Sequence, residues 1–157
     1  MALTDLARFC GVWEGTGRGY FPTVQPFRYR ERLALTLDAP RELVQLELRA
    51  WKQYEGSDLV EASHHEVGAI IATANGFELS TIQNGSRYER LVGTLVRTGE
   101  DLVVSWVSAE YANDPRLVSA ERTWRLVGDR LHYTMGMHTT TVARMEPHLE
   151  AELVREA

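Results

Sequence analysis

The sequence predicts an all-β protein: a single antiparallel β-barrel of about ten strands with a short N-terminal helix. Three observations point there. Turn signals recur about every ten residues, among them Asp38-Ala39-Pro40, Asn75-Gly76, Asn84-Gly85, Thr98-Gly99 and Gly128-Asp129. The runs between them alternate apolar and polar residues, and no long helical period appears. Glycine stands at every second position from Gly15 to Gly19, which leaves one strand face nearly bare. A bare face suits close backbone approach, or a corner where a sheet curls on itself. Closure into a barrel then removes the sheet edges.

Taken in order, Thr4 is placed to cap a short helix over Asp5, Leu6, Ala7, Arg8 and Phe9, with Gly11 just beyond its end. So short a helix does not stand alone and is expected to pack over one mouth of the sheet. The glycine strand follows and ends at Tyr20, Phe21 and Pro22, since Pro22 has no N–H for a ladder. Phe27, Tyr29, Leu33, Leu35 and Leu37 then share one parity, broken only by Glu31, against Arg28, Arg30, Arg32 and Thr36 on the other. Val44, Leu46, Leu48 and Ala50 repeat that logic.

Residues 59–74 read as two short strands, LVEASHHE and VGAIIATA, ahead of the Asn75-Gly76 hairpin. Phe77 to Gln83, Arg87 to Val96 and Leu102 to Val107 are further strands. Tyr111 to Arg116 reads as a loop containing Asp114-Pro115. Glu121 to Val127 and Arg130 to His138 form a last clear hairpin around Gly128-Asp129. In Met145 to Arg155, the alternation of Leu149, Ala151 and Leu153 fits a strand, while its Leu, Glu and Ala content suits a helical turn equally well.

A length of 157 residues fits one domain, 1–157, with enough chain for a sizeable core. Hydrophobic residues at 44% and charged residues at 25% exclude a disordered chain. A formal charge of -5 argues against a nucleic-acid partner. Cys10 is the only cysteine, which excludes an internal disulfide or a cysteine metal cluster. Residues 1–10 lack the pattern of a signal peptide, and no apolar run reaches membrane-spanning length. The expectation is a cytoplasmic protein with no membrane partner.

Familiar catalytic patterns are absent: no Ser-His-Asp signature, no His-Glu-x-x-His helix, and no phosphate loop opening a helix. His148 follows Pro147, which restricts where its imidazole can point. A neutral imidazole is the commonest protein ligand for iron, and one proximal histidine holds a haem. From the residue alone, a partly exposed terminal histidine is the plainer reading.

Larger patterns change that balance. Gly11-x-Trp13-x-Gly15-x-Gly17 followed by Pro22-Thr23 resembles the signature of the nitrobindin family, small haem-binding β-barrels. His148, Leu149, Ala151, Leu153 and Arg155 resemble that family's C-terminal His-Leu-x-Ala-x-Leu-x-Arg, and His64, Glu66 and Gly68 its His-x-Glu-x-Gly. Ala69, Ile70 and Ile71 depart from the aromatic-Leu-Arg usual after that segment, and Phe21 replaces the usual tyrosine before Pro-Thr.

The resemblance implies haem b as cofactor, His148 as axial iron ligand, Thr23 at the haem edge and His64 as a pocket neighbour. It also implies small reactive nitrogen species as partners: nitric oxide bound, and peroxynitrite isomerised to nitrate. Trp13 is read as core rather than chemistry. An alternative is a haem-free intracellular carrier of a fatty acid or other apolar ligand, with Arg28, Arg30, Arg32 or Arg125 meeting its carboxylate. A third reading is a relative that keeps the barrel and has lost the activity.

Overall fold

The computed structural model describes residues 1–157. Ten strands form a closed, wholly antiparallel barrel in which each pairs with its neighbours in sequence, and β1 (Gly11–Phe21) closes it against β10 (Glu146–Arg155). Between them run β2 (Val24–Asp38), β3 (Leu43–Tyr54), β4 (Glu61–Thr73), β5 (Gly76–Gln83), β6 (Arg87–Thr98), β7 (Asp101–Ala112), β8 (Leu117–Val127) and β9 (Arg130–Thr139). The tail is thus a strand, and residues 59–74 hold one strand rather than two. The 111–116 loop is shorter than expected, because β7 runs to Ala112 and β8 begins at Leu117.

The N-terminal helix is a 3-10 helix over Leu3–Phe9. Thr4 lies inside it and is not its cap; the Asp5 carboxylate accepts from the Ala2 N–H at 2.8 Å instead. The helix plugs one end of the barrel, as expected from its length. Phe9 and Leu6 are buried there, and Phe9 lies 6.3 Å from Trp124, which in turn meets Trp106 edge-on at 5.3 Å. Arg8 donates to the Glu100 carbonyl in the β6–β7 turn, tying the plug to the rim.

The bare glycine face is used for close approach. Gly17 and Gly19 pair with Tyr29 and Phe27 of β2, and a Cβ at either glycine would run into the partner's ring. The two aromatic rings therefore lie across β1.

Side chains fill the interior in three layers, set by the strict alternation along each strand. The plugged end is apolar, with Trp13, Leu35, Leu46, Ile70, Phe77, Leu102 and Trp124 all buried. The middle layer is polar and buried: Glu31, Glu66, Thr81, Glu89, Arg122 and, at its edge, Tyr133. The open end carries Phe27, Tyr54, His64, Met135 and His148 around a cavity.

Candidate functional site

The site is built from irregularities in the ladders at the open mouth. Pro147 pairs with Gly136 and Leu149 with Met135, so His148 is the extra residue of a β-bulge. A bulge re-aims its residue. It explains why His148 and its neighbour Leu149 both line the cavity, although strict alternation would put one of them outside. A second bulge, between Ala50 and Trp51 of β3, leaves Ser63 unpaired and lets Ser63 and His64 both reach the lumen. A third break falls between Gly19 and Phe21, at Tyr20. Released from the ladder, the Tyr20 carbonyl lies 3.0 Å from His148 Nδ1.

That contact decides the histidine's chemistry. Nδ1–H donates to the carbonyl, which fixes the tautomer and leaves the Nε2 lone pair for a metal. Burial pushes the His148 pKa below the usual histidine value; the Tyr20 carbonyl opposes this, and Arg87 and His64 add to it. Phe21 packs edge-on against the imidazole at 5.5 Å, so the change from tyrosine keeps an aromatic ring against His148.

His64 lines the same cavity and is oriented from behind. Its Nε2 lies 3.2 Å from Glu66 Oε2, while Glu66 Oε1 accepts from Arg122 and from Thr81, each at 2.7 Å. Burial alone would raise the Glu66 pKa, but Arg122, helped by His64 and Thr81, holds it well below the usual carboxylate range. Arg122 also approaches Glu89 at 3.6 Å. Glu89 accepts from Gln83 at 2.7 Å and from Ser108 at 2.8 Å. His65 is exposed on the outer face, as alternation along the strand requires.

Thr23 sits exposed in the β1–β2 turn, beside Val24 of the cavity wall. Ile70 is buried in the apolar layer and Ile71 is exposed outside, so neither of these departures touches the cavity. Sequence reasoning missed Lys52, which lines the mouth and donates to Tyr54 Oη at 3.2 Å. It missed the role of Arg122 as well. Arg28 and Arg30 point outward, Arg32 faces Glu14 on the outside, and Arg125 pairs with Asp101 at 2.8 Å, so none of the four can meet a lumenal ligand.

The cavity holds about 200 Å³, below the roughly 300–1,000 Å³ of sites that enclose a ligand. Its walls include Phe27, Leu48, Met135 and Leu149. Donor set and walls fit a haem seated at the mouth: one neutral imidazole, apolar surface, and the Lys52 ammonium for a propionate.

A closed barrel with a bulge-borne histidine at its open mouth defines a class of barrels suited to one-point ligation of a flat apolar cofactor. The chain belongs to the nitrobindin family, matching the THAP4-like, heme-binding beta-barrel domain over residues 2–155. It is 30% identical to a peroxynitrite isomerase of Mycobacterium leprae, over 98% of this chain and 94% of that one. It is 29% identical to a peroxynitrite isomerase of Salinispora arenicola, over 98% of this chain and 80% of that one. The crystal structure of Rv2717c from M. tuberculosis shares the fold, with a TM-score of 0.81 at 24% identity, covering 99% of this chain and 97% of that one.

Proposed function

We propose that the chain binds haem b through His148 and in that form binds nitric oxide and isomerises peroxynitrite to nitrate. The observation that carries this reading is the Nδ1 contact to the Tyr20 carbonyl, which leaves the Nε2 lone pair free and would let His148 hold the haem iron. The names of the relatives support the activity.

Bound haem would supply a Lewis-acidic iron with a coordination position open to a small reactive nitrogen species. The chain's own residues do the rest. Pro147 and the bulge hold His148 toward the mouth, and Phe21 limits its rotation. Phe27, Leu149 and Met135 offer apolar surface that excludes water. His64, held through Nε2 by Glu66, would be the pocket neighbour of a bound haem, and Thr23, in the β1–β2 turn, would contact its edge. A fatty-acid carrier is disfavoured, because Arg122, the guanidinium of the middle layer, is already held between Glu66 and Glu89.

The test is an absorption titration with hemin, run beside His148→Ala. The wild type should give a saturable Soret band and the variant should lose it, with circular dichroism unchanged. Equal titrations of two folded proteins would overturn the reading.

A further inference from the structure

Glu31 is the residue in the lumen that haem ligation leaves unexplained. It interrupts an apolar row of β2 where a leucine would pack, it is 2% exposed, and its Oε1 has no hydrogen-bond partner. Tyr29, one inward position nearer the mouth, is likewise buried with an unpartnered hydroxyl. Both line the cavity, with Leu48 and Met135 beside them. A buried polar atom left unpaired costs roughly 1–3 kcal/mol. Two such atoms in one cavity point to a missing partner.

The charges around them say what kind. The middle layer carries three carboxyl groups, Glu31, Glu66 and Glu89, against the single guanidinium of Arg122. Glu66 and Glu89 both approach that guanidinium, at 2.7 and 3.6 Å, and Glu31 makes no ion pair. The other inward cations stand nearer the rim and are engaged. Arg87 is held by Gln83 and Asp114, and Lys52 by Tyr54 and, at 3.9 Å, by Glu61. An anion at the cavity floor would face a layer of three carboxyl groups against one guanidinium that does not itself line the cavity, whereas a cation would give Glu31 the partner that Arg122 gives Glu66.

We propose that the cavity floor, at Glu31 and Tyr29, is a binding site for a small apolar molecule carrying a cationic nitrogen head. The head sits against the Glu31 carboxylate and donates to Tyr29 Oη, and the apolar body lies against Leu48 and Met135. At about 200 Å³ the cavity takes one small molecule of this kind. Burial, with Glu66 as neighbour and only partly offset by Arg122, otherwise holds the Glu31 pKa up at about 8. An arriving cation reverses that balance, by the same attraction that Arg122 exerts on Glu66. The site does not depend on haem ligation by His148.

The experiment compares benzamidine, benzamide and benzoate, three molecules of one shape carrying positive, zero and negative charge, by calorimetric titration of the full chain at neutral pH. Benzamidine should saturate one site at least about tenfold more tightly than benzamide, and benzoate should not bind. Glu31→Gln should weaken benzamidine about tenfold and leave benzamide unchanged. Tyr29→Phe, which keeps the ring over Gly17, should weaken benzamidine to a smaller degree and serves if the first variant folds poorly. Equal binding of the three, preference for benzoate, benzamidine binding unchanged in both variants, or no saturation by any probe would overturn the proposal. The last result would mean that the floor holds only water. Hemin titration of His148→Ala is unaffected by any of these outcomes, so the two readings fail separately.

Discussion

The Arg155 guanidinium lies 4.2 Å from the centre of the Trp13 ring, joining the two ends of the chain across the β1–β10 seam. Trp13 and Arg155 are direct register partners, and the same guanidinium donates to the backbone carbonyls of Cys10 and Arg8. Trp13 Nε1 donates to the Phe9 carbonyl at 2.8 Å. The conspicuous residues of the first and last strands thus hold the plug on the barrel, at the end opposite His148.

Trp13→Ala should therefore cost roughly 3–5 kcal/mol, since the ring is fully buried and leaves a cavity behind it. Arg155→Ala removes a cation–π contact and charged hydrogen bonds and should cost about 1–3 kcal/mol. Urea denaturation measures both. A loss below about 1 kcal/mol for Trp13→Ala would contradict its place in the core.

Gly17→Ala tests the glycine face. A Cβ there would meet both the Tyr29 ring and the Glu150 carbonyl oxygen on the neighbouring strand. Backbone cannot yield as a flexible side chain can, so a loss of about 1–3 kcal/mol or more is expected. Gly17→Ala paired with Tyr29→Ala should recover only the part due to the ring. Full recovery would show that the strand–strand approach imposes no constraint.

The sequence makes the barrel legible because alternation and turn chemistry are local signals. Glu31 already stood out as the break in an apolar row. What stayed hidden depends on register. A bulge carries no clear signal in one sequence, yet bulges place His148 beside Leu149 and Ser63 beside His64 in the lumen. Strict alternation from Leu149, Ala151 and Leu153 would have turned His148 outward, so its assignment came from resemblance and its geometry from the structure. Residues 59–74 hold one strand rather than two, and Gly68 within it sits against the Ser80 carbonyl of β5. Arg122 was lost among outward arginines, since its pairing with Glu66 spans strands far apart in sequence.

Arg122→Ala should be among the most damaging single changes in the lumen. It would leave Glu66 and Glu89 buried without their cation, and breaking a buried pair in this way costs roughly 3–5 kcal/mol. Arg122→Met with Glu66→Gln should be milder than Arg122→Ala alone, because the unpaired charge of Glu66 goes with its partner. Thermal unfolding of the set decides. A double variant as unstable as the sum of the two singles would show that the pair is not coupled.

Two of the buried glutamates, Glu66 and Glu31, should bend the pH profile in opposite directions and in separate windows. Glu66 has a lowered pKa, so its stabilisation is fully present above the unfolded glutamate value of about 4.3 and is lost as pH falls below it. Glu31 is raised to about 8. Between about 4.3 and 8 the unfolded chain has released a proton that folded Glu31 retains, so stability falls as pH rises, by up to about 1.4 kcal/mol per unit. Glu66 is flat across that window. The difference between the two proteins therefore isolates Glu31. Urea unfolding at pH 5, 6, 7 and 8 should show Glu31→Gln gaining on the wild type at each step. Parallel profiles would mean that folded Glu31 is already ionised.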